Sequence, residues 1–221
     1  MMIDWLTIRV PYESLSEVSR ARVLAMGDRI TRYCPQTGEE RWTSTAWDSI
    51  RSDSHQISVR AGALEFWIQG SPARVIGDGD AVFGAGPSAA LDLRGCADHM
   101  IRWVAAALGT HLPGPEAWIC SRVDVTENLA LASLDEVIQA LSILRDCEGG
   151  RYRVSQQKGD TVYWSHGSTI RSGKAYAKGP HLKYLMKKPD YTGCPYTAQD
   201  IANADRLLRL ELKLAREWFR R

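Results

Sequence analysis

The residues of this sequence best suited to chemistry are a tyrosine and two lysines, in the segment Lys174-Ala175-Tyr176-Ala177-Lys178. On a strand the side chains of Lys174, Tyr176 and Lys178 share one face, because successive side chains alternate between faces. Two nearby cations favour the phenolate, so we expect the pKa of Tyr176 to be lowered. Such a tyrosine could attack phosphorus in a nucleic acid. The alternative, a tyrosine that stacks on a base, is favoured by residue chemistry alone.

Two short patterns, Arg122-Val123-Asp124 and Arg209-Leu210-Glu211, each place an arginine and a carboxylate on the same face of a strand. If the two strands are neighbours, Asp124 and Glu211 would converge on one cation, and oxygen ligands suit Mg²⁺ or Mn²⁺. Glu65, on another predicted strand, is a third candidate ligand. The alternative is a pair of solvated salt bridges within strands, which contribute little to stability.

The formal net charge of +2 conceals two oppositely charged parts of the chain. Residues 1–148 hold 13 Arg, no Lys and 20 acidic residues, a net charge of −7, whereas residues 149–221 hold 15 basic and 6 acidic residues, a net charge of +9. Aromatic residues are interleaved with the basic ones between residues 151 and 191. Basic residues neutralise phosphates and aromatic residues stack on unpaired bases, so this composition indicates a nucleic-acid strand as the partner. The alternative is a solvated basic face.

The elements that must position these residues are mostly strands. Alternation predicts a first strand over Ile3–Val10. Later strands are predicted over Trp118–Leu129, Tyr152–Gln156, Thr161–Trp164, Gly173–Lys178 and Leu208–Leu214, although the last segment would also tolerate a helix. Two hairpins are predicted, Arg29–Cys34 with Arg41–Trp47 and Gln56–Arg60 with Leu64–Gln69, and a loop is predicted over Gly77–Gly86.

Two main helices are predicted. One has an apolar stripe from Ile101 to Leu108 and stops at Gly109; the other begins with a capping box between Ser133 and Glu136 and ends at Gly149-Gly150. The sum is an α+β domain, an antiparallel β-sheet with two main helices packed on one face.

Composition narrows the class of protein further. The chain is 44% hydrophobic and 24% charged, as globular domains are, with neither a spanning apolar run nor a secretory signal. The 5 cysteines are scattered and odd in number, which favours reduced thiols in a cytosolic protein. We therefore expect a cytosolic protein that does not bind a membrane.

The order of several short motifs resembles the rolling-circle nickase family, the replication initiators of filamentous phages and related plasmids, which is distantly similar to HUH endonucleases. The resemblance rests on Met2-Ile3-Asp4-Trp5-Leu6, Gly70-Ser71-Pro72-Ala73-Arg74-Val75, Val82-Phe83-Gly84, Ser121-Arg122-Val123-Asp124-Val125-Thr126, Thr161-Val162-Tyr163-Trp164, Ala175-Tyr176-x-Lys178 and Leu208-Arg209-Leu210-Glu211. It implies a single nicking domain over residues 1–221, at the N-terminal end of a longer initiator.

The resemblance implies that a tyrosine nicks one strand of the replicative-form origin, becomes attached to the 5′ phosphate, leaves a 3′-OH and later rejoins the strand. It places the nucleophile at Tyr176 with Lys178 beside it, and makes Asp124, Glu211 and Glu65 the candidate ligands of Mg²⁺ or Mn²⁺. The implied partners are origin DNA, single-stranded or melted, and the host helicase and polymerase. The residues expected to contact DNA are Lys174, Lys183, Arg171, Arg122 and Arg209.

The chain departs from the family pattern in two places. Gly79-Asp80-Ala81 stands where the family tends to have Gly-His-Asn, and the H-x-H metal motif of HUH enzymes is missing. Two other functions therefore compete with the nickase. One is a non-catalytic single-stranded DNA-binding replication regulator, and the other is a nuclease that activates water instead of tyrosine.

Overall fold

A computed structural model describes residues 1–26, 28–51, 56–72, 92–149, 153–154, 160–189 and 196–220. It contains a two-stranded sheet and an eight-stranded antiparallel sheet with the strand order β4-β5-β6-β1-β7-β10-β9-β8. The strands are β1 (Met2–Pro11), β2 (Arg29–Tyr33), β3 (Glu40–Thr45), β4 (Asp48–Arg51), β5 (Gln56–Ala61), β6 (Glu65–Gly70), β7 (Ile119–Ala130), β8 (Thr161–Trp164), β9 (Arg171–Ala177) and β10 (Leu207–Leu214).

The described residues form five helices: α1 (Glu17–Leu24), α2 (Leu93–Leu108), α3 (Leu134–Arg145), α4 (Lys178–Met186) and α5 (Ala198–Asp205). Three short 3₁₀ turns lie at Tyr12–Ser14, Pro115–Ala117 and Arg216–Trp218. The predicted α+β class is confirmed, and so are the first strand, both hairpins and the leucine-rich strand near the end.

One face of the large sheet forms the hydrophobic core. Alternate residues of β1, Leu6, Ile8 and Val10, are buried there against Met100 and Val104 of α2. Farther along the same face, Ala175 and Leu208 pack against Val137 and Leu141 of α3. The two main helices therefore cover one face, as the apolar stripes in their sequences predict.

The opposite face of the same strands is polar, because the residues between the buried ones point the other way. In β10, Leu208 is buried in the core and Leu210 borders it, whereas Arg209, Glu211 and Lys213 lie on the polar face. Strands β9, β7 and β1 add further polar and aromatic side chains to this face. Neither α2 nor α3 covers it, which leaves it for the functional site.

Helix ends differ in detail from the predictions. Ser133 caps α3 by accepting from the Glu136 backbone N–H, but the Glu136 carboxylate accepts from the backbone N–H of Ala132 rather than that of Ser133. The helix ends at Arg145, before the glycines. Helix α2 ends where predicted, with Gly109 in the left-handed conformation at φ 60°.

Three helices were missed, α1, α4 and α5, and each of them is short. Helix α1 begins at the Ser16 cap and α5 at a Thr197–Asp200 capping box, whereas α4 has no side-chain cap. The predicted loop Gly77–Gly86 lies outside the described residues, and of the predicted strand Tyr152–Gln156 only Arg153 and Val154 are described.

Helices α4 and α5 approach each other closely at Gly179. A Cβ added there would lie 2.0 Å from Asp205 Oδ1 and 2.7 Å from the Asp205 Cα. We expect Gly179→Ala to lower the free energy of unfolding by roughly 1–3 kcal/mol, because the backbone of α5 must move. Chemical denaturation measures the change, and Gly149→Ala, where a Cβ meets nothing within 4 Å, is the control. Equal stabilities of the two variants would contradict this prediction.

Candidate active site

Three neighbouring strands, β7, β10 and β9, bring Asp124, Glu211 and Tyr176 to one region of the polar face. In the pairing of β9 with β10, Tyr176 lies opposite Arg209 and Lys174 lies opposite Glu211. In the pairing of β10 with β7, Glu211 lies opposite Thr126 and Lys213 lies opposite Asp124. Paired residues share a face, so the tyrosine and both candidate carboxylates are on the same side of the sheet.

Tyr176 is 3% exposed, and its hydroxyl donates a hydrogen bond to Glu211 Oε1 at 2.6 Å. Lys174 Nζ lies 3.9 Å from the centre of the Tyr176 ring and 3.5 Å from Glu211 Oε2. Burial raises the pKa of Tyr176, and the Glu211 charge and hydrogen bond raise it further. The predicted lowering of this pKa is therefore wrong: burial and the carboxylate outweigh the cations.

Lys178 reaches the same tyrosine from a different element than predicted. It is the first residue of α4 rather than a residue of the strand, because β9 ends at Ala177. Its Nζ lies 5.8 Å from the centre of the Tyr176 ring, and the residue is 5% exposed. Burial, with Arg209 nearby, lowers the pKa of Lys178 to about 7. This lysine therefore exchanges its proton near neutral pH.

His181, one turn further along α4, packs edge-on against Tyr176, with ring centres 4.9 Å apart. Burial lowers its pKa to about 4, with Lys178 adding to the effect, so the ring is neutral at pH 7. Its buried Nδ1 has no hydrogen-bond partner among the described residues. The structure therefore places His181 directly against the tyrosine.

Asp4 is a site residue that the sequence analysis did not single out. The pairing of β1 with β7 shifts register between Ile3 and Trp5, and Asp4 lies at this irregularity. Such irregularities redirect a side chain. Burial raises the pKa of Asp4, and the neighbouring Glu211 and Asp124 add to the rise while Arg209 and Lys178 oppose it. The feature of the sequence that could have pointed to Asp4 is its position as an acidic residue in a mostly apolar first strand.

The two arginine–carboxylate patterns behave differently. Arg122 makes two hydrogen bonds to Asp124, with Nε 2.8 Å from Oδ1, so this pattern is a salt bridge within the strand. Arg209 instead donates from Nε to Asn128 Oδ1 at 2.8 Å, while Glu211 bonds Tyr176. Asp124 and Glu211 are offset by two residues across β7 and β10, roughly 7–8 Å apart on the diagonal.

The described residues contain no group of three or more His, Cys, Asp or Glu side chains placed to hold a metal ion. The donor chemistry nevertheless suits a hard cation, because the carboxylates of Asp124 and Glu211 both lie near enough to Asp4 to raise its pKa. The hydroxyl of Thr126, opposite Glu211, is buried and has no hydrogen-bond partner within the described part of the chain. Oxygen donors are therefore present, and a cation would have to compete with Arg122 and Lys174 for them.

Glu65 is not part of this cluster. It lies opposite Pro11 at the far end of β1 and pairs with Arg9, whereas Asp124 lies opposite Trp5. Six residues along the strand separate the two positions, roughly 20 Å at 3.3 Å per residue. The structure thus gives no support to Glu65 as a ligand shared with Asp124 and Glu211.

The expected DNA contacts are distributed unevenly. Arg209 is 1% exposed, so it supports the site from within rather than contacting DNA. Lys183 is bound by both Asp205 oxygens, at 2.8 and 2.9 Å, and Arg171 stacks on Trp218. Lys174 lies beside Tyr176, and Arg122 is half-exposed and stacks on Trp5. Of the five, Lys174 and Arg122 are therefore the two that border the site and are also partly exposed.

The lowered pKa of Lys178 predicts a pH dependence of stability in metal-free buffer. Between about pH 7 and its ordinary value of 10.5, the unfolded chain holds a proton that the folded chain has released. Stability then rises with pH across this interval, because the unfolded state binds more protons. We expect Lys178→Met to lose this rise between pH 7 and 9.5, measured by chemical denaturation. Lys187→Met, at the exposed end of α4, is the control, and a rise retained in Lys178→Met would contradict the expectation.

Fold and site together define an α+β protein whose polar sheet face carries a buried tyrosine bonded to a carboxylate, with two lysines beside its ring. The chain belongs to the Phage CRI family, described as the N-terminal part of a replication-associated protein, and the family model matches residues 2–221. The resemblance to replication initiators predicted from the sequence is thereby confirmed at the level of the family.

Comparison with solved structures gives a rolling-circle replication initiator protein from Geobacillus stearothermophilus. It is 12% identical with a TM-score of 0.39, and the match covers 98% of this chain and 75% of that one. No curated protein matches the chain. Among the described residues, none of the helices has the length and apolar character needed to cross a membrane.

Proposed function

We propose that this chain is the nicking and joining domain of a rolling-circle replication initiator, with Tyr176 as the nucleophile. The observation that carries the proposal is the hydrogen bond from the Tyr176 hydroxyl to Glu211, on a polar sheet face with Lys174 and Lys178 beside the ring. This is a nucleophile bonded to a proton acceptor and flanked by cations, in a chain of a replication-associated family.

In the proposed nicking step Glu211 takes the phenol proton as the Tyr176 oxygen attacks phosphorus. The bond from phosphorus to the 3′ oxygen breaks, and that oxygen receives a proton and leaves as a 3′-OH. The 5′ phosphate remains bound to Tyr176. Joining is the reverse: a 3′-OH attacks the phosphotyrosine, and the phenol is released with its proton.

The two lysines have different roles in this proposal. Lys174, whose ammonium nitrogen lies 3.5 Å from Glu211, stabilises the negative charge that develops on the phosphoryl oxygens. Lys178 has a pKa of about 7, so it can supply the proton that the departing 3′ oxygen needs and recover it for joining. His181 is neutral and holds the ring of Tyr176 in place.

We also propose a divalent cation, Mg²⁺ or Mn²⁺, held by Glu211, Asp124 and Asp4. When bound, it supplies a Lewis acid that polarises a phosphoryl oxygen. Asp124 would exchange part of its pairing with Arg122 for the ion. Asp4, whose pKa burial raises, would be held ionised by the bound charge.

The proposed substrate is origin DNA in single-stranded or melted form, because a buried tyrosine cannot reach a phosphate within an intact duplex. The 3′-OH would prime a host polymerase, with a host helicase unwinding the duplex ahead of it. The proposed location is accordingly the bacterial cytoplasm, with this chain as a nicking domain within a longer initiator.

One observation favours a second candidate, a non-catalytic single-stranded DNA-binding regulator. Tyr176 is 3% exposed and its pKa is raised, as in a structural tyrosine. The nicking proposal therefore requires DNA binding to expose the Tyr176 oxygen while its hydroxyl keeps the hydrogen bond to Glu211.

The experiment that separates these functions uses a single-stranded origin oligonucleotide labelled at its 3′ end, Mn²⁺ and a denaturing gel. A label that migrates with the protein supports nicking by tyrosine. A shortened oligonucleotide free of protein indicates a nuclease that activates water, and salt-sensitive binding with neither product indicates the regulator.

A further inference from the structure

Arginine and tryptophan side chains alternate across the polar face, away from Tyr176. The pairs Arg9–Trp67 and Arg60–Trp47 each have the guanidinium carbon near the indole, at 5.6 and 6.0 Å from the ring centre. Strand register joins them, because Trp67 lies opposite Arg9 on β1 and opposite Arg60 on β5. The four residues therefore form one row, which we call the Arg–Trp row.

The Arg–Trp row connects to the site through β1. Trp5, which lies opposite Asp124, stacks on Arg122 with the guanidinium carbon 5.6 Å from the ring centre. Trp5 and Arg9 share the polar face, since Leu6, Ile8 and Val10 alternate into the core. From Trp5 to Arg9 the path follows β1 for four residues, roughly 13 Å. From Arg9 to Arg60 it crosses two strand spacings, roughly 10 Å.

The row has the composition of a surface for unpaired nucleotides. Indole faces stack on bases of any sequence, and guanidinium groups neutralise phosphates or stack beside the rings. Trp47 is 38% exposed, and Arg9 and Trp67 are partly exposed, so none is a core residue. Burial lowers the pKa of Arg9, and Arg216 and Arg220 lie near enough to lower it further, so additional cationic groups lie at this end of the face.

We propose that the Arg–Trp row, together with Trp5, binds the single strand of DNA that continues from the scissile phosphate. The inference rests on the proposed function for the location of that phosphate. It assigns DNA binding to residues of the acidic part of the chain, which the distribution of charge along the sequence did not indicate.

The test measures binding of two oligonucleotides of equal length, one of thymidines and one of abasic nucleotides, without metal, by fluorescence anisotropy. We expect wild-type protein to bind the thymidine strand more tightly than the abasic one. Trp67→Leu should bind the thymidine strand roughly tenfold more weakly while its binding of the abasic strand stays the same, because only stacking is lost. Trp5→Leu, as a second variant, should show the same pattern.

The matched control is Trp42→Leu. Trp42 is 48% exposed but lies on β3, in the separate two-stranded sheet. Thermal unfolding of each variant verifies that it is folded. The inference would be overturned if Trp67→Leu and Trp5→Leu both kept the wild-type preference for the thymidine strand. It would also be overturned if Trp42→Leu lost that preference to the same extent as they do.

Failure of the proposed function gives a different result. If no covalent adduct forms but Trp67→Leu still loses discrimination, the row binds DNA in a protein that does not nick. If the adduct forms and the tryptophan variants discriminate as wild type does, nicking stands and the row is not the binding surface.

Discussion

Tyr176→Phe is expected to eliminate the covalent protein–DNA adduct while leaving the protein folded and able to bind single-stranded DNA. The substitution removes only the oxygen that attacks phosphorus, and no neighbouring hydroxyl replaces it in the proposed mechanism. The phenylalanine ring keeps its packing against His181 and Lys174. Loss of the hydrogen bond to Glu211 should cost about 1 kcal/mol of stability.

The measurement is the amount of label that migrates with the protein on a denaturing gel after incubation with Mn²⁺. Tyr163→Phe is a matched control, because Tyr163 lies opposite Lys174 on β8 and its ring centre is 6.0 Å from the same Nζ. We expect this variant to form adduct as wild type does. An adduct that persists in Tyr176→Phe, or disappears only in Tyr163→Phe, would assign the nucleophile elsewhere.

The sequence was most informative where one physical signal dominated. Leucines alternate with charged residues in β10, and that period fixes both the strand and the face on which Glu211 lies. The same reasoning placed Lys174 and Tyr176 together. The sequence does not show which strands are neighbours. The meeting of Asp124 and Glu211 was therefore predicted only on the condition that β7 and β10 lie side by side.

The chemical state of the site could not be predicted, because it depends on burial and on strand register. Counting charges near Tyr176 gave two lysines and a lowered pKa, but burial of the phenol raises that pKa, and Glu211, 35 residues away in the chain, raises it further. Burial of Lys178 likewise follows from the start of α4 at that residue. Neither quantity is encoded in local sequence.

Asp4 and the Arg–Trp row show the same limit. Each depends on residues far apart in the chain becoming neighbours across strands, and on a local register shift in the case of Asp4. Composition directed attention to the lysine-rich end of the chain. The tryptophans near the start of the chain were inconspicuous until register placed two of them, Trp5 and Trp67, beside arginines on the polar face.

The second large effect is expected from Glu211→Gln, which should slow adduct formation by about 100- to 10,000-fold. Glutamine keeps the size of the side chain and can still accept a hydrogen bond from Tyr176, but it cannot take the phenol proton. The measurement is the single-turnover rate of adduct formation at saturating oligonucleotide. Glu127→Gln, at a half-exposed position of β7 paired with the N-terminal amine, should react at the wild-type rate.

Two further readouts separate the roles proposed for Glu211. A residue that acts only as a metal ligand should lose affinity for Mn²⁺, so a higher concentration would restore the rate. We expect the rate of Glu211→Gln to stay low at any Mn²⁺ concentration, and that of Asp124→Asn to recover in part. Full recovery of Glu211→Gln would leave Glu211 as a ligand and would require another acceptor for the phenol proton.

The same substitution should also change the tyrosine itself. The Glu211 charge contributes to the raised pKa of Tyr176, so its removal should lower that pKa toward the ordinary value for a phenol. An absorbance titration of the tyrosines, with Tyr176→Phe subtracted to identify the residue, measures this without DNA or metal. A more acidic phenol alone would react faster at neutral pH. A lowered pKa of Tyr176 together with a slower reaction would therefore show that Glu211 acts by accepting the phenol proton. An unchanged pKa would contradict the hydrogen bond on which the proposed mechanism depends.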